Sequence, residues 1–140
     1  MNIEMLAPAA ALAVWSMIML VWMAATRLPA LAKLKMPSEQ SRGGRGADLD
    51  GVIPDNIQWK AHNYNHLMEQ PTVFYAIVII LALVGGSQFD LILAWLYVGV
   101  RVVHSFWQSL VNTIPIRITL FMISSITLTI MAVRALLITI

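Results

Sequence analysis

The sequence predicts an all-α membrane protein, a bundle of four transmembrane helices in a single domain. Hydrophobic residues make up 59% of the 140 positions and charged residues only 11%, whereas a soluble domain is about half apolar and about a quarter charged. The apolar residues are also gathered into four runs, each near the roughly 20 residues that cross a bilayer core. The predicted helices cover residues 5–27, 62–84, 89–111 and 115–138, and a hydrophilic loop covers 28–60.

The first run carries no charged residue between Met5 and Ala25. No basic segment precedes it, and it is longer than the core of a signal peptide, so we expect a retained helix. The loop that follows contains a glycine-rich stretch, Ser41 to Gly46. We interpret this stretch as a flexible connection and not as a phosphate-binding loop, because no strand precedes it and no P-loop lysine follows.

The other three runs each contain an interruption that has a physical meaning. Pro71 lies inside the second run and removes one helical hydrogen bond, which favours a kink. Arg101 and His104 interrupt the third run. Pro115 is placed to begin the fourth helix, and Arg134 near its far end is expected to extend to the membrane interface.

The distribution of basic residues predicts the orientation of the bundle. Six of them lie in or beside the first loop, and the turn at 85–88 has none. The six are Arg27, Lys33, Lys35, Arg42, Arg45 and Lys60. By the positive-inside rule the first and third loops are cytoplasmic and both termini lie on the opposite side. No basic helix face lies outside the spans, which argues against nucleic-acid binding, and the absence of cysteine excludes disulfides and thiolate metal sites.

Polar side chains form one stripe on the second helix and one on the third. Their spacing of three and four residues puts each stripe on a single helical face. The stripes are His62, His66 and Glu69, and Arg101, His104 and Gln108. In the predicted topology both stripes and Arg117 reach the same depth at the cytoplasmic end. Glu69 is interpreted as the only acidic residue within a span, so we expect it to form an ion pair with Arg101.

Two interpretations of this cluster remain open. In the structural one, a buried ion pair and its histidines set the register of the helices. In the functional one, the cluster is an anion-binding pocket. Arg101 and Arg117 exceed Glu69 by one positive charge, and a buried cation without a counter-ion is costly. The charge balance therefore favours the pocket.

The chain resembles the MAPEG family, the membrane-associated proteins in eicosanoid and glutathione metabolism, over nearly its whole length. The segment His66 to Pro71 is similar to the family's Asn-x-x-Glu motif with a nearby proline. Arg101-x-x-His104 followed by Arg117 is similar to the prostaglandin E synthase branch. The stretches at 69–75 and 95–105 look most like uncharacterised bacterial members.

This resemblance implies a homotrimer that binds glutathione between protomers on the cytoplasmic side of a bacterial inner membrane. It implies a lipophilic electrophile or hydroperoxide that reaches the thiol from the bilayer. Arg117 matches the arginine that stabilises the thiolate, which is the nucleophilic form of a thiol. The cofactor-binding positions are Glu69, at the amino end of the tripeptide, with His66, Asn65, Arg101, His104 and Gln108.

Three of these positions depart from the family pattern. His66 stands in place of asparagine, Asn65 in place of an arginine, and Gln108 in place of a tyrosine. Arg27 or Lys33 could supply the missing carboxylate clamp. Some members of the family bind lipids without catalysis, so the alternative is a non-catalytic lipid-binding or complex-assembly subunit.

Further possibilities are weaker. His62, His66 and Glu69 could hold a metal, but pocket-lining histidines are the preferred interpretation. Ser124 and Ser125 are expected to allow close helix packing. Proton or solute transport is disfavoured, because the polar residues lie at one end of the bundle only.

Overall fold

The computed structural model describes residues 1–34 and 42–140. Lys35 and Ser41, which belong to the predicted loop, lie outside the described residues. Every regular element in the described ranges is helical, and four α-helices are long and apolar enough to cross a membrane. They are α1 (Leu6–Lys33), α2 (Asp55–Val84), α3 (Gln88–Leu110) and α4 (Ile114–Thr139), with short 3-10 helices at Ile3–Met5 and Gly46–Leu49.

The helices extend beyond the apolar runs on one side of the bundle. α1 continues to Lys33 and α2 begins at Asp55, whereas the apolar runs predicted helices over 5–27 and 62–84. A helix satisfies its own backbone hydrogen bonds, so it can continue beyond the hydrocarbon core after its apolar run ends. We call this side, with the described connections at 42–54 and 111–113, the loop end, and the side with the turn at 85–87 the turn end.

The core lies where α2 and α3 meet, and α1 and α4 pack on either side of this pair. The rings of Phe74 and Tyr97 stack with their centroids 4.4 Å apart, and both side chains are fully buried. Leu12 of α1 and Met131 of α4 complete the buried layers. Many large apolar side chains are exposed around the outside, as expected for a bundle in lipid.

The turn end is closed by two helix caps. Gly85 adopts a left-handed conformation with φ 87° and ends α2, a role that glycine fills without steric cost. Ser87 then caps α3, and its hydroxyl and backbone N–H both donate to the carboxylate of Asp90, at 2.7 and 2.8 Å. This capping box starts α3 directly after α2 ends.

Asp90 also binds Arg134 across the α3–α4 interface. The Asp90 side chain is fully buried, and it accepts hydrogen bonds from Nε and Nη2 of Arg134. Two predictions are therefore wrong: Arg134 is paired and does not simply extend to the interface, and Glu69 is not the only acidic residue within a span. The sequence places Asp90 at a helix start, but only the antiparallel packing of α3 and α4 brings Arg134 to it.

Residues 46–50 of the first loop pack against α2 at the loop end. Gln58 Nε2 donates to Asp50 Oδ1 at 2.6 Å, and His62 Nε2 donates to the same oxygen at 3.0 Å. Arg27 Nη2 donates to the carbonyl of Gly46 at 2.8 Å. The hydrogen bond from Gln58, followed by that from His62, lowers the pKa of Asp50 below 3.8. His62 therefore bonds to the loop, whereas His66 bonds to Glu69.

Arg134→Gln is expected to destabilise the bundle by about 1–3 kcal/mol, because it leaves the buried Asp90 carboxylate without its strongest partner. The double variant with Asp90→Asn should recover part of this loss. Unfolding by SDS titration in mixed micelles measures both, with the exposed Arg42→Gln as the matched control. Losses below about 0.5 kcal/mol, the usual range for surface substitutions, would contradict this role.

The docked loop should release at acidic pH. Because the folded pKa of Asp50 lies below 3.8, its contribution is fully present above pH 3.8 and is lost as the pH falls through the folded pKa. The chain has no cysteine, so a spin label on Ala47→Cys reports loop mobility without interference. Mobility should rise only below pH 3.8, and Asp50→Asn should abolish this pH-dependent step; a step that survives in Asp50→Asn belongs to another group.

Candidate functional site

A cavity of about 210 Å³ lies at the loop end, where α2, α3 and α4 meet. It is lined by His66, His104, Ile114, Arg117, Ile118 and Phe121. Three of these residues come from the polar positions singled out in the sequence, one on each of the three helices. The helices bring them together because α2 and α4 begin, and α3 ends, at the same side of the bundle.

His66 is the central residue of this site. Its Nδ1 lies 3.0 Å from Glu69 Oε2, and its Nε2 lies 3.2 Å from Arg101 Nη1. An arginine can only donate, so Nε2 accepts and the ring proton is on Nδ1, from where it is donated to Glu69. The His66 ring is 5.1 Å from the ring of His104 and 5.4 Å from that of Phe121, measured between centroids.

The predicted ion pair between Glu69 and Arg101 is not formed. Glu69 follows His66 by three residues and turns outward, with 68% of its side chain exposed, whereas Arg101 is 1% exposed in the core. His66 lies between them and bonds to both. The spacing along α2 would allow either Glu69 or His66 to bond to Arg101. Because Glu69 turns outward, His66 makes this bond.

Arg101 is therefore a buried cation with neutral neighbours. Besides His66 Nε2, its contacts are the His66 carbonyl at 3.4 Å and the Tyr97 ring, whose centroid is 5.7 Å from the guanidinium carbon. In the described part of the chain it forms no ion pair with a carboxylate. A buried charge of this kind produces a strong positive potential, because little water screens it.

Arg117 places a second guanidinium in the wall of the cavity. Its Nη1 donates to Asn112 Oδ1 at 2.6 Å. Asn112 lies in the connection between α3 and α4 and has φ 57°, a left-handed conformation that asparagine tolerates better than most residues. The sequence showed a turn at this position, but it did not show that the turn holds Arg117 in place.

A polar chain behind the cavity was missed in the sequence. The Tyr97 hydroxyl donates to Gln70 Oε1 at 3.2 Å, and Gln70 Nε2 donates to Ser125 Oγ at 2.8 Å. This chain joins α3, α2 and α4 next to Arg101, so Ser125 does more than allow close packing. Gln70 is itself a polar residue within an apolar run, which was a signal that could have revealed it.

Other predicted residues lie outside this cavity. Asn65 and Glu69 are exposed on the surface of α2, and neither lines the cavity. Gln108 is 5% exposed inside the bundle, and its Oε1 has no hydrogen-bond partner there. Arg27 bonds to the loop, and Lys33 lines a different cavity. Within the described ranges, no three His, Asp or Glu side chains come together to hold a metal.

Asn63 is a further buried polar residue that the sequence did not single out. Its side chain is 1% exposed, and neither amide atom has a partner. It lies one turn from His66 on α2, toward the loop end. Buried amides are normally hydrogen-bonded, so the interior beside the site is polar on the α2 and α3 faces, where Gln108 also lies.

A comparison with protein families shows one match, to the MAPEG family, over residues 5–137. This match covers nearly the whole chain and all four helices. No curated protein and no solved structure matches significantly.

The chain Tyr97–Gln70–Ser125 should stabilise the site-bearing helices. Hydrogen bonds between membrane helices contribute about 0.6 kcal/mol on average and at most about 1.7. A double-mutant cycle of Tyr97→Phe and Gln70→Leu should give a coupling energy in this range when unfolding is measured by SDS titration. Thr119→Val is the control, because Thr119 bonds to its own helix. A coupling energy of zero would show that the two side chains do not act together.

Proposed function

Because the chain belongs to the MAPEG family, we propose that it is a glutathione-dependent membrane transferase or peroxidase for lipophilic electrophiles, with Arg117 stabilising the thiolate. One observation carries this proposal: the cavity between α2, α3 and α4 has the Arg117 guanidinium in its wall and the uncompensated Arg101 guanidinium behind His66. The described lining includes no carboxylate, so the cavity favours an anion.

The charges of the site fit glutathione. The tripeptide carries two carboxylates, one ammonium group and a thiol. Arg101 and Arg117 supply positive charge, and the exposed carboxylate of Glu69 can accept hydrogen bonds from the ammonium group. The cavity of about 210 Å³ is smaller than the roughly 300–1,000 Å³ of complete ligand pockets. We infer that it holds the thiol-bearing part, while the rest extends along the exposed face with Glu69 and Asn65.

This geometry also explains why a homotrimer is proposed. Glu69 and Asn65 are the cofactor-binding positions on the outside of α2, and they would face solvent or lipid in an isolated chain. A neighbouring protomer packed on this face would enclose them and complete the pocket. Lipid alone would be a poor environment for an ionised carboxylate.

When bound, glutathione supplies the nucleophilic sulfur. Arg117 would stabilise the thiolate, because a nearby guanidinium favours the ionised form of a thiol. Asn112 holds one side of this guanidinium, so its direction is set before the ligand arrives. His66 keeps Glu69 oriented, and Arg101 acts from behind His66 through its charge, since it is too deeply buried to reach far into the cavity.

A lipophilic substrate has a direct route to this site. Ile114, Ile118 and Phe121 form the α4 side of the cavity, and Ile114 and Ile118 are more than half exposed on the outside of the bundle. In a membrane, this apolar edge of α4 contacts acyl chains. An electrophile or hydroperoxide dissolved in the bilayer could therefore approach the sulfur without crossing water.

The proposed setting is a bacterial inner membrane with the loop end in the cytoplasm. The basic residues of the first loop support this orientation, and glutathione is then available on the side where the cavity lies. The alternative is a non-catalytic lipid-binding or assembly subunit of the same fold. His66 favours this alternative in one respect, because the chain itself satisfies both ring nitrogens.

The thiolate proposal is tested by ultraviolet absorbance during glutathione titration of the detergent-solubilised protein. Wild type should show the thiolate band near neutral pH. Arg117→Ala should lose it, and conjugation to a lipophilic electrophile should slow. The slowing should be less than about tenfold for each unit by which the thiol pKa rises, because a more basic thiolate is also more nucleophilic. Arg42→Ala, which removes an exposed loop arginine, is the matched control and should behave as wild type.

Absence of the band in wild type would rule out the enzyme. The non-catalytic alternative makes the opposite set of predictions: glutathione gives no thermal protection, and Glu69→Gln and Arg101→Gln still lower the stability of the oligomer.

A further inference from the structure

A second cavity lies at the loop end, between the last turns of α1 and the start of α2. Its volume is about 310 Å³. The described walls are mainly apolar, with a single ionised side chain, that of Lys33. The lining residues are Thr26, Pro29, Ala30, Lys33 and Leu34 on the α1 side and Val52, Ile53, Pro54 and Ile57 on the α2 side.

The walls of this cavity are held in place by the docked loop. Ile53 is 4% exposed and its N–H donates to the carbonyl of Leu49 at 3.2 Å. The Gly46 carbonyl receives hydrogen bonds from Arg27 on α1 and from Gln58 on α2, at 2.8 and 3.0 Å. The loop thus bridges both helices, and the cavity is a built feature of the fold.

This cavity is separate from the proposed glutathione site. The two share no described lining residue. One lies between α1 and α2, and the other lies where α2 meets α3 and α4. Lys33 therefore has a local environment unlike that of Arg117: an apolar cavity beside it, and no histidine or second arginine in the described lining.

The position of this cavity near the membrane interface favours an amphiphilic ligand. At the same end of the bundle, Lys60 Nζ lies 5.2 Å from the centroid of the Trp22 ring, and tryptophan and lysine are typical of the membrane–water interface. An apolar cavity that begins about one turn beyond Trp22, with the cation Lys33 in its lining, complements an amphiphile with an acyl chain and an anionic headgroup. Its volume is near the lower end of ligand pockets, which suits one chain.

We propose that this cavity binds one acyl chain of an anionic phospholipid from the adjacent leaflet, with the headgroup phosphate held by Lys33. Each Lys or Arg near an anionic membrane surface contributes about 1 kcal/mol, equivalent to about a fivefold preference over a zwitterionic lipid. The site would give the first loop a lipid-dependent anchor next to the start of α2. It does not depend on glutathione or on catalysis.

Photo-crosslinking in vesicles tests this proposal. The protein is reconstituted in phosphatidylcholine vesicles that contain traces of phosphatidylglycerol or phosphatidylcholine with a diazirine in one acyl chain. Labelled peptides are mapped by mass spectrometry, and labelling of residues 52–57 is divided by that of the lipid-exposed segment 136–140. Wild type should show about fivefold more labelling at 52–57 with phosphatidylglycerol than with phosphatidylcholine.

Three variants separate the site from general attraction to the membrane. Lys33→Gln should remove the preference for phosphatidylglycerol, and Ala30→Trp should fill the cavity and reduce labelling by both probes to the level of 136–140. Arg45→Gln removes the same charge from the loop outside the cavity and should keep the preference. If Ala30→Trp does not fold, the comparison of Lys33→Gln with Arg45→Gln still shows whether Lys33 recognises the headgroup.

Two results would overturn the proposal. Equal labelling by the two probes in wild type would show no headgroup recognition, and an equal loss in Arg45→Gln and Lys33→Gln would indicate diffuse surface attraction. Failure of the glutathione titration would leave this test unaffected, since labelling is measured without glutathione.

Discussion

The site depends on one constraint: the Arg101 guanidinium is buried at 1% exposure with no carboxylate beside it in the described structure. An unpaired buried charge is unfavourable, and the groups around Arg101 stabilise its charge only in part. His66 accepts from it, the Tyr97 ring lies near it, and Glu69 contributes through His66. Arg117 places a second positive charge in the wall of the neighbouring cavity.

A second arginine of the bundle, Arg134, differs from Arg101 because it is paired with a carboxylate. At the turn end, Arg134 bonds directly to Asp90, a fully buried carboxylate that also caps α3. That pair is electrically balanced and joins α3 to α4. At the loop end, Arg101 has no such direct partner. The same residue type therefore pairs with a carboxylate at one end of the bundle and lies beside the proposed ligand site at the other.

His66 partly offsets the unpaired positive charge of Arg101 at the loop end. An asparagine, which the family pattern has at this position, has a shorter side chain and no second ring nitrogen. The imidazole bonds to Glu69 on the outside and to Arg101 on the inside at the same time. The imidazole thus connects the Glu69 carboxylate to the Arg101 guanidinium. It also places a ring against His104 and Phe121, which narrows the cavity.

Much of the architecture could be predicted from the sequence, because apolar runs of membrane length and their helical periodicity are local properties. They predicted four helices, and the match over residues 5–137 supports the family. The spacing of His66 and Glu69, and of Arg101 and His104, also predicted which helical faces are polar. The partners could not be predicted in the same way. Asp90 was overlooked, and no partner was predicted for Arg134, Gln70 or Ser125. Glu69 was the wrong partner for Arg101.

These partners could not be predicted because a hydrogen bond between two helices depends on how each helix is rotated and how deep it lies, to within an ångström or two. A helical pattern fixes a face, but it does not fix the direction of a long side chain on that face. Composition and periodicity alone determined that this chain crosses a membrane four times with charged residues inside. Only the tertiary structure decided that His66 separates Glu69 from Arg101, that Asp90 neutralises Arg134, and that Lys33 borders a cavity of its own.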